Sequence, residues 1–382
     1  METYLDYAAT TPVRPEVVEL VTRVLRENWG NASSPHATGR RARATVELAR
    51  GQVARLVGCD PETICFTSGG TEANNLAVLG VACAAGRGHV VCSAIEHHSV
   101  LDACRALERK GFAVSWVQPD PEGVVAPEAF AACLRSDTVL ACLMLVNNEV
   151  GSLQPVAEVS QLCHERGVVV HVDAVAAAGR TEIAVDALGA DLLSVSAHKI
   201  YGPPGAGALF VRSGMELAPL FHGGGQERRR RPGTEDVAGV AGFGLAADLA
   251  RQELTGWIDH LETLQRACWV AVMDLGVGAR AMGPTNPQQH VPGMLSFTFP
   301  DWDGDALRTA LDLRGIRVGA GAACSSGSTE PSHVLMAMGC SPEEAQTVVR
   351  LSFGCATELA DVRRLVDALN EAVSLQREAM GC

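Results

Sequence analysis

Lysine is almost absent from this chain of 382 residues. Arginine carries nearly all of the basic charge, and the two lysines are Lys110 and Lys199. Chemistry that needs a side-chain amine therefore has to use one of these two residues. Lys199 is the stronger candidate, because it lies between a short apolar run and a loop rich in proline and glycine, in SVSAHKIYGPPGAG.

Excess positive charge and long apolar segments are missing as well. The net charge is −13, so we expect no direct binding to nucleic acid or to an anionic membrane, which would need clustered lysine and arginine. No stretch is long and apolar enough to predict a membrane span. One basic run, ERRRRPG at residues 227–233, is by itself typical of a solvated loop.

Paired cysteines are also missing. The 13 cysteines are an odd number, and they include no C-x-x-C pair and no zinc-ligand spacing. No apolar segment with a cleavage site stands at the N-terminus. This pattern predicts a cytoplasmic protein with reduced thiols and no metal site. Cys65, Cys92 and Cys142 lie in strand-like runs, where we expect them to be small buried hydrophobic residues.

Short apolar runs alternate with helical patterns over residues 15–250. Six runs predict strands: TICFTSG, HVVCSA, VLACLMLV, VVVHVDA, LLSVSA and GALFVR. Helical patterns between them, at residues 72–85 and 156–166, indicate an α/β domain with a largely parallel sheet covered by helices. Later, a helix over 254–275 and the strand candidates MLSFTF and VVRLSFG predict a smaller α+β domain of residues 251–382, completed by residues 1–14.

Small and polar residues follow the predicted strands, where ligands of such sheets bind. The turn TSGGTEANN, with Gly70 and Thr71, places small residues between a strand and a helix, which suits an anion at the helix N-terminus. It is neither a Walker loop nor a dinucleotide fingerprint. A purely structural glycine turn is the alternative interpretation.

Three titratable residues stand at other strand ends. Asp173 ends VVVHVD, where a carboxylate needs a cationic partner such as a protonated pyridine nitrogen; a helix cap or an ion pair is the alternative. The ring of His97 suits stacking on a flat cofactor, or a structural hydrogen bond. Desolvation at Lys199 favours the neutral amine that imine formation requires. Together with the anion site, these residues predict pyridoxal 5'-phosphate.

Two further candidates lie late in the chain. Cys324 is embedded in RVGAGAACSSGSTEPSH, a stretch typical of an accessible loop, so it is either a reactive thiol or an incidental loop cysteine. Arg350 is a single arginine in the apolar strand VVRLSFG and needs an anionic partner. A substrate carboxylate and a structural ion pair satisfy this requirement equally well.

In this order the motifs resemble those of the cysteine desulfurases, pyridoxal-phosphate enzymes of aminotransferase fold type I in the class V aminotransferase group. The resemblance covers nearly the whole chain. It rests on YLDYAATTPV, NASSPH, FTSGGTEANNLA, IEHHSVL, VNNEVG, HVDA, SAHKIYGPPGAGAL, HGGGQERRRRPGTEDVAG, GAACSSGSTEPSHVL and VRLSFG.

The resemblance implies roles for individual residues. As catalytic residues it implies Lys199, which forms an imine with the cofactor, His97, which stacks on the ring, and Cys324, which removes the sulfur. Arg350 and Asn148 bind the substrate. The cofactor-binding residues that it implies are Gly70, Thr71, His97, Asn148, Asp173, Ser196, His198, Lys199 and Thr234.

The implied reaction converts L-cysteine into L-alanine and a persulfide on Cys324, which passes to an acceptor protein. The implied assembly is a homodimer in which Thr234 reaches the cofactor of the neighbouring subunit. Alternatives are a selenocysteine lyase or related pyridoxal-phosphate enzyme, and a non-catalytic sulfur-relay scaffold. The scaffold is motivated by Ala176, which stands where the family usually has a glutamine that bonds the cofactor.

Overall fold

The structure, a computed structural model, describes residues 2–299, 302–321 and 330–380, with the side chains of the last helix only as far as Ala372. Its strands are β1 Thr3–Leu5, β2 Ile64–Thr67, β3 His89–Ser93, β4 Ala113–Val117, β5 Thr138–Cys142, β6 Val169–Asp173, β7 Leu192–Ser196, β8 Gly207–Val211, β9 Arg280–Met282, β10 Met294–Thr298, β11 Ile316–Val318 and β12 Val349–Ser352. Its α-helices are α1 Pro15–Glu27, α2 Ala37–Val57, α3 Gly70–Ala85, α4 His98–Arg109, α5 Pro127–Ala132, α6 Val156–His164, α7 Val185–Leu188, α8 Val237–Asp274, α9 Gly304–Leu313, α10 His333–Ala337, α11 Pro342–Gln346 and α12 Leu359–Met380.

A seven-stranded sheet with the order β2-β8-β7-β6-β5-β3-β4 is the largest sheet. Strand β8 is antiparallel to both of its neighbours, and the remaining pairs are parallel. The predicted α/β class with a mainly parallel mixed sheet is therefore confirmed. The six predicted strands form β2, β3 and β5 to β8, and their apolar runs are buried because helices cover both faces of such a sheet.

Strand β4 lies at the edge of this sheet and was not predicted. Its sequence AVSWV is only partly buried, with a single fully buried residue at Val117. An edge strand that is open to solvent carries no long apolar run. Its pairing with β3, from His89↔Ala113 onward, is what makes it a strand.

Helix α8 contains all but the last residue of the helix predicted over 254–275 but begins 17 residues earlier, so the predicted start is wrong. Its first part, VAGVAGFGLAADLA, contains three glycines, which are poor helix formers in isolation. Tertiary packing overrides this preference: a Cβ at Gly244 would lie 2.6 Å from Cα of Ala49 in α2, so glycine allows the two helices to approach. Asp236 caps the helix by accepting a hydrogen bond from the Gly239 N–H at 3.0 Å.

Two smaller sheets complete the chain. Strand β1 pairs in parallel with β11, with Thr3 opposite Ile316, and β10 lies between β12 and β9 in an antiparallel sheet. An isolated bridge joins Asp6 to Ser352 at the end of β12. The N-terminal segment is thereby held against strands that lie more than 300 residues later. None of the helices in the described ranges has the length and apolar character needed to cross a membrane.

Candidate active site

A cavity of about 280 Å³ lies beyond the carboxyl ends of β6 and β7. It brings together residues that are far apart in the sequence, as expected for the strand ends of a parallel sheet. Of the predicted site residues it is lined by Gly70, Thr71, His97, Asn148, Asp173, His198, Lys199 and Arg350. Ala176 lines the same cavity.

The glycine turn before α3 forms one side of the cavity. Gly69 has a φ of +149°, and a Cβ at Gly207 would lie 2.6 Å from the Gly69 backbone, so both positions exclude larger residues. Close by, the buried Ser196 Oγ has no hydrogen-bond partner among the described residues. An unpaired hydroxyl beside the N-terminus of a 16-residue helix suits a bound phosphate.

Asp173 stands at the end of β6 with 4% of its surface exposed. Its Oδ2 accepts a hydrogen bond from Asn74 Nδ2 at 2.7 Å, and its Oδ1 accepts one from the Val175 N–H at 2.9 Å. Asn74 was not predicted as a site residue. It is part of the motif TSGGTEANN, but the sequence does not indicate which distant strand a polar residue inside a helix will contact.

His97 caps α4, and this contact determines which ring nitrogen carries the proton when the ring is neutral. Its Nδ1 accepts the Ser99 N–H at 3.1 Å and lies 2.7 Å from Ser99 Oγ. Since a backbone N–H can only donate, Nδ1 carries no proton and the proton of the neutral ring is on Nε2. Burial lowers the pKa of His97, so the ring is neutral at physiological pH.

Lys199 follows β7 in a short 3-10 turn and reaches the N-terminal segment. Its Nζ donates to the carbonyl oxygens of Ala8 and Ala9, the latter at 2.9 Å. Beside it, burial and the Lys199 charge lower the pKa of His198 to about 4. His198 is therefore neutral, and its Nδ1 lies 3.2 Å from Thr10 Oγ1.

Arg350 is fully buried in β12 and already has an anionic partner. Its Nη2 donates to Asp6 Oδ1 at 2.7 Å and its Nη1 donates to the Asn148 carbonyl oxygen at 3.0 Å. Its Nε is buried without a hydrogen-bond partner among the described residues. The structure thus shows the ion pair that the sequence left open, and these two hydrogen bonds use two of the five N–H donors of the guanidinium.

Glu149 is a further buried carboxyl group beside the site, and it was not among the predicted site residues. Burial raises its pKa to about 7, against the opposing effects of Ser332 and Arg350. The Ser332 hydroxyl donates a hydrogen bond to its Oε2. A partly protonated carboxyl group near neutral pH therefore lies close to the arginine of the site.

Of the predicted residues that the structure describes, Ser196 and Thr234 do not line the cavity, and Ser196 lies beside it. Thr234 is exposed and lies on a separate loop. Cys324 lies outside the described residues.

The loop of Thr234 contains three successive residues with left-handed backbone, Glu227, Arg228 and Arg229, with φ of 42°, 55° and 66°. Each costs about 1 to 2 kcal/mol.

A buried ion pair holds this loop in place. Arg50 donates to both carboxylate oxygens of Glu227 at 2.8 Å, and Glu227 Oε2 also accepts the Phe66 N–H at 2.8 Å. Arg228 and Arg231 of the basic run pair with Glu62 and Glu72, both at 2.9 Å. The run is therefore an ordered loop and not a freely solvated one.

The cavity has the donor and acceptor set that pyridoxal phosphate requires. It combines a buried carboxylate at Asp173, a helix N-terminus with the unpaired Ser196 hydroxyl, a neutral histidine ring and an amine at Lys199. The first suits a protonated pyridine nitrogen and the second a phosphate. The residues present therefore fit this cofactor.

Comparison with known proteins shows the family of this chain. Residues 3–365 match the family described as Aminotransferase class-V. The chain is 42% identical to the cysteine desulfurase IscS of Dictyoglomus turgidum, over 98% of this chain and 95% of that protein. It is 40% identical to the cysteine desulfurase IscS of Methanosarcina thermophila, over 98% of this chain and 92% of that protein.

Solved structures show the same likeness. A NifS-like protein superimposes with a TM-score of 0.92 at 35% identity, covering 98% of this chain and 100% of that one. DndA from Streptomyces lividans superimposes with a TM-score of 0.77 at 36% identity, covering 92% and 99%. Proteins of this family depend on pyridoxal phosphate. The chain belongs to the cysteine desulfurase family, within the class-V aminotransferases.

Proposed function

We propose that this protein removes sulfur from free L-cysteine with pyridoxal phosphate, giving L-alanine and a persulfide on Cys324. One observation carries the proposal: Lys199, one of two lysines in the chain, lines the same cavity as Asp173 and Arg350. An amine, an acid for a pyridine nitrogen and a guanidinium for a carboxylate are the three groups that an amino-acid enzyme of this kind needs.

Four residues are proposed to hold the cofactor from two sides. Thr71, Ser196 and His198 bind its phosphate together with the N-terminus of α3. Asp173 pairs with its pyridine nitrogen. These assignments use the unpaired Ser196 Oγ and the neutral ring of His198, which carries one N–H that can donate to a phosphate oxygen.

The reacting groups are proposed to be arranged around this core. His97 lies against the ring, Lys199 supplies the amine, and Asn148 lies near the reacting carbon. Arg350, which lines the cavity, binds the substrate carboxylate through guanidinium N–H groups that Asp6 and the Asn148 carbonyl do not use. When bound, the cofactor supplies an electron sink for the α-carbon of the substrate.

The sulfur-transfer step is proposed for Cys324. Its thiolate attacks the sulfur of L-cysteine, so that a sulfur–sulfur bond forms while the carbon–sulfur bond breaks. The electron pair of that bond stays on the carbon skeleton, which takes up a proton and leaves as L-alanine. The terminal sulfur of the persulfide then passes to a thiol of an acceptor protein.

We also propose a homodimer in which Thr234 approaches the cofactor of the partner subunit. The proposal is supported by the exposure of Thr234 outside its own cavity and by the buried Arg50–Glu227 pair that holds its loop. Mixing Lys199→Ala chains with Thr234→Ala chains tests it. Shared sites restore one intact site in each mixed dimer, whereas independent sites restore none.

The proposed large domain is residues 15–250, and the proposed small domain is residues 1–14 with 251–382. All strands of the seven-stranded sheet lie in the first set, and β1 and β9 to β12 lie in the second.

For the cellular location we propose the reducing cytoplasm. Eleven free cysteines in the described ranges support this proposal.

The deciding experiment identifies the lysine that binds the cofactor and measures the sulfur released from L-cysteine. Borohydride reduction of the protein with pyridoxal phosphate should label Lys199 and leave Lys110 unlabelled. Incubation with L-cysteine and a thiol reductant should give alanine and sulfide in equal amounts. Cys324→Ser should abolish sulfide release, while Cys83→Ser, at an exposed cysteine elsewhere, should not.

Other results would reject the proposal. A purified protein without the yellow colour of a bound cofactor that still binds an acceptor protein would favour a sulfur-relay scaffold. Turnover on selenocysteine that survives Cys324→Ala would favour a selenocysteine lyase.

A further inference from the structure

A chain of hydrogen bonds links the two sides of the cavity through one amide group. Asn74 Nδ2 donates to Asp173 Oδ2 at 2.7 Å and to Ser99 Oγ at 2.8 Å. Ser99 Oγ in turn lies 2.7 Å from His97 Nδ1. The path therefore runs from the acid on β6, through α3 and α4, to the histidine ring.

The orientation of the Asn74 amide is determined by its partners. A flipped amide would place its oxygen 2.7 Å from a carboxylate oxygen of Asp173, and two acceptors at this distance repel each other. The amide nitrogen therefore faces Asp173. Both of its hydrogens are then used, one toward Asp173 and one toward Ser99.

The same reasoning fixes the hydroxyl hydrogen of Ser99. Its oxygen accepts from Asn74, and its neighbour His97 Nδ1 carries no proton because it already accepts the Ser99 N–H. The Ser99 hydroxyl therefore donates to Nδ1. Asn74 therefore donates to Ser99, and Ser99 donates to His97. Both hydrogen bonds favour the neutral His97 ring with its proton on Nε2.

Burial makes these contacts difficult to replace. Asn74 is 1% exposed and Asp173 is 4% exposed, so water has little access to take over a lost hydrogen bond. The Oδ1 of Asn74 is buried without a hydrogen-bond partner in the described part of the chain. A buried amide that leaves its oxygen unpaired to keep both donors engaged is unfavourable for folding alone, which indicates a functional reason.

We infer that Asn74 is a positioning residue for the cofactor: it holds the Asp173 carboxylate for a pyridine nitrogen and, through Ser99, holds His97 in its proton-on-Nε2 form. This inference rests on the proposed function and assigns to Asn74 no contact with the substrate. Of its two branches, only the one through Asp173 reaches the pyridine nitrogen, so that branch depends on the presence of the ring nitrogen.

A cofactor analogue with carbon in place of the pyridine nitrogen isolates this action. Dissociation constants for pyridoxal phosphate and for the 1-deaza analogue are measured by absorbance and fluorescence titration of the full chain. In the wild type we expect the natural cofactor to bind more tightly. In Asn74→Leu we expect that preference to fall roughly tenfold to a hundredfold, the effect of losing a hydrogen bond to a charged group.

Asn75 offers a matched control on the same helix. Its Nδ2 donates to the Thr71 and Ser99 carbonyl oxygens but makes no recorded contact with Asp173. Asn75→Ala perturbs the same packing between α3 and α4, and we expect it to keep the wild-type preference for the natural cofactor.

A second variant tests the other branch without touching Asp173. Ser99→Ala keeps the Asn74–Asp173 hydrogen bond, so the cofactor preference should persist. It removes the hydroxyl donor to Nδ1, which stabilises the neutral ring, so the pKa of His97 measured by 15N NMR should rise. This arm remains decisive if Asn74→Leu does not fold.

The outcomes separate the inference from the proposed function. A folded Asn74→Leu protein with the wild-type preference, or a Ser99→Ala protein with an unchanged His97 pKa, overturns the inference. A wild-type chain that binds neither cofactor overturns the proposed function itself.

Discussion

Asp6 and Arg350, separated by 344 positions in the sequence, form an ion pair, with Nη2 of the arginine 2.7 Å from Oδ1 of the aspartate. Arg350 is fully buried, whereas the side chain of Asp6 is 22% exposed. Asp6 therefore compensates a guanidinium charge that would otherwise be buried alone. The pair also fixes the orientation of the Arg350 guanidinium.

Loss of this pair should lower the stability of the protein and weaken substrate binding. For Asp6→Asn we expect the free energy of unfolding to fall by about 2 kcal/mol, because a hydrogen bond to a charged group is lost. KM for L-cysteine should rise more than kcat falls, since Arg350 loses its fixed orientation. Chemical denaturation and steady-state kinetics measure the two effects.

Asp305→Asn is the matched control, because Asp305 pairs with Arg308 on the surface and is 84% exposed. We expect a change within about 0.5 kcal/mol for this variant. Equal stability losses in the two variants would contradict the special role of the Asp6–Arg350 pair.

The loop that carries Thr234 should depend on Glu227. Replacing it as Glu227→Gln removes one charge from the buried pair with Arg50 and weakens the anchor of three residues with left-handed backbone. We expect a loss of about 3 kcal/mol in unfolding free energy, measured by chemical denaturation. Glu62→Gln, at the 79% exposed partner of Arg228, should have little effect. A Glu227→Gln protein as stable as the wild type would show that the loop does not need this pair.

Glu149 should make stability depend on pH. Burial raises its pKa from 4.5 to about 7, so the folded state resists ionisation of this group. Its contribution is fully present below pH 4.5 and is lost as the pH rises through 7, by up to about 3 kcal/mol. Glu149→Gln removes the titration.

Unfolding free energies of the wild type and Glu149→Gln are compared at pH 4.5 and pH 8. The variant should gain stability relative to the wild type as the pH rises. Glu165→Gln, at an exposed glutamate, serves as control and should show a nearly constant difference. A constant difference for Glu149→Gln as well would mean that Glu149 ionises normally in the folded state.

Gly207 should be required for the phosphate side of the cavity. A Cβ at this position would lie 2.6 Å from the Gly69 backbone. Gly207 is in β8, which is paired with β2 on one side and β7 on the other, so the strand cannot shift to relieve this clash without disturbing both pairings. For Gly207→Ala we expect a stability loss of about 2 kcal/mol and weaker binding of pyridoxal phosphate. Gly225→Ala, where a Cβ meets open space, is the control. Unchanged cofactor binding in Gly207→Ala would place the phosphate elsewhere.

The strand-end residues of the site were predictable from the sequence. His97, Asp173 and Lys199 each follow an apolar run, and the carboxyl ends of neighbouring parallel strands necessarily meet at one edge of a sheet. Periodicity and this one geometric rule are enough to bring them together without knowledge of any contact.

The residues that orient them were not predictable in the same way. Asn74 lies inside a helix and meets Asp173 across 99 residues, and Asp6 meets Arg350 from the opposite end of the chain. Single-chain periodicity reports which face of an element is apolar, but it carries no information about which distant polar group will be its neighbour.

The sequence by itself determined the α/β class, the mainly parallel sheet and the chemical types at the strand ends, because these follow from local apolar patterns and from a nearly complete lack of lysine. Tertiary structure alone decided the early start of α8, the edge strand β4, the ion pair of Arg350 and the amide link from Asp173 to His97. These features depend on burial and on contacts between distant segments, where packing and desolvation outweigh local preference.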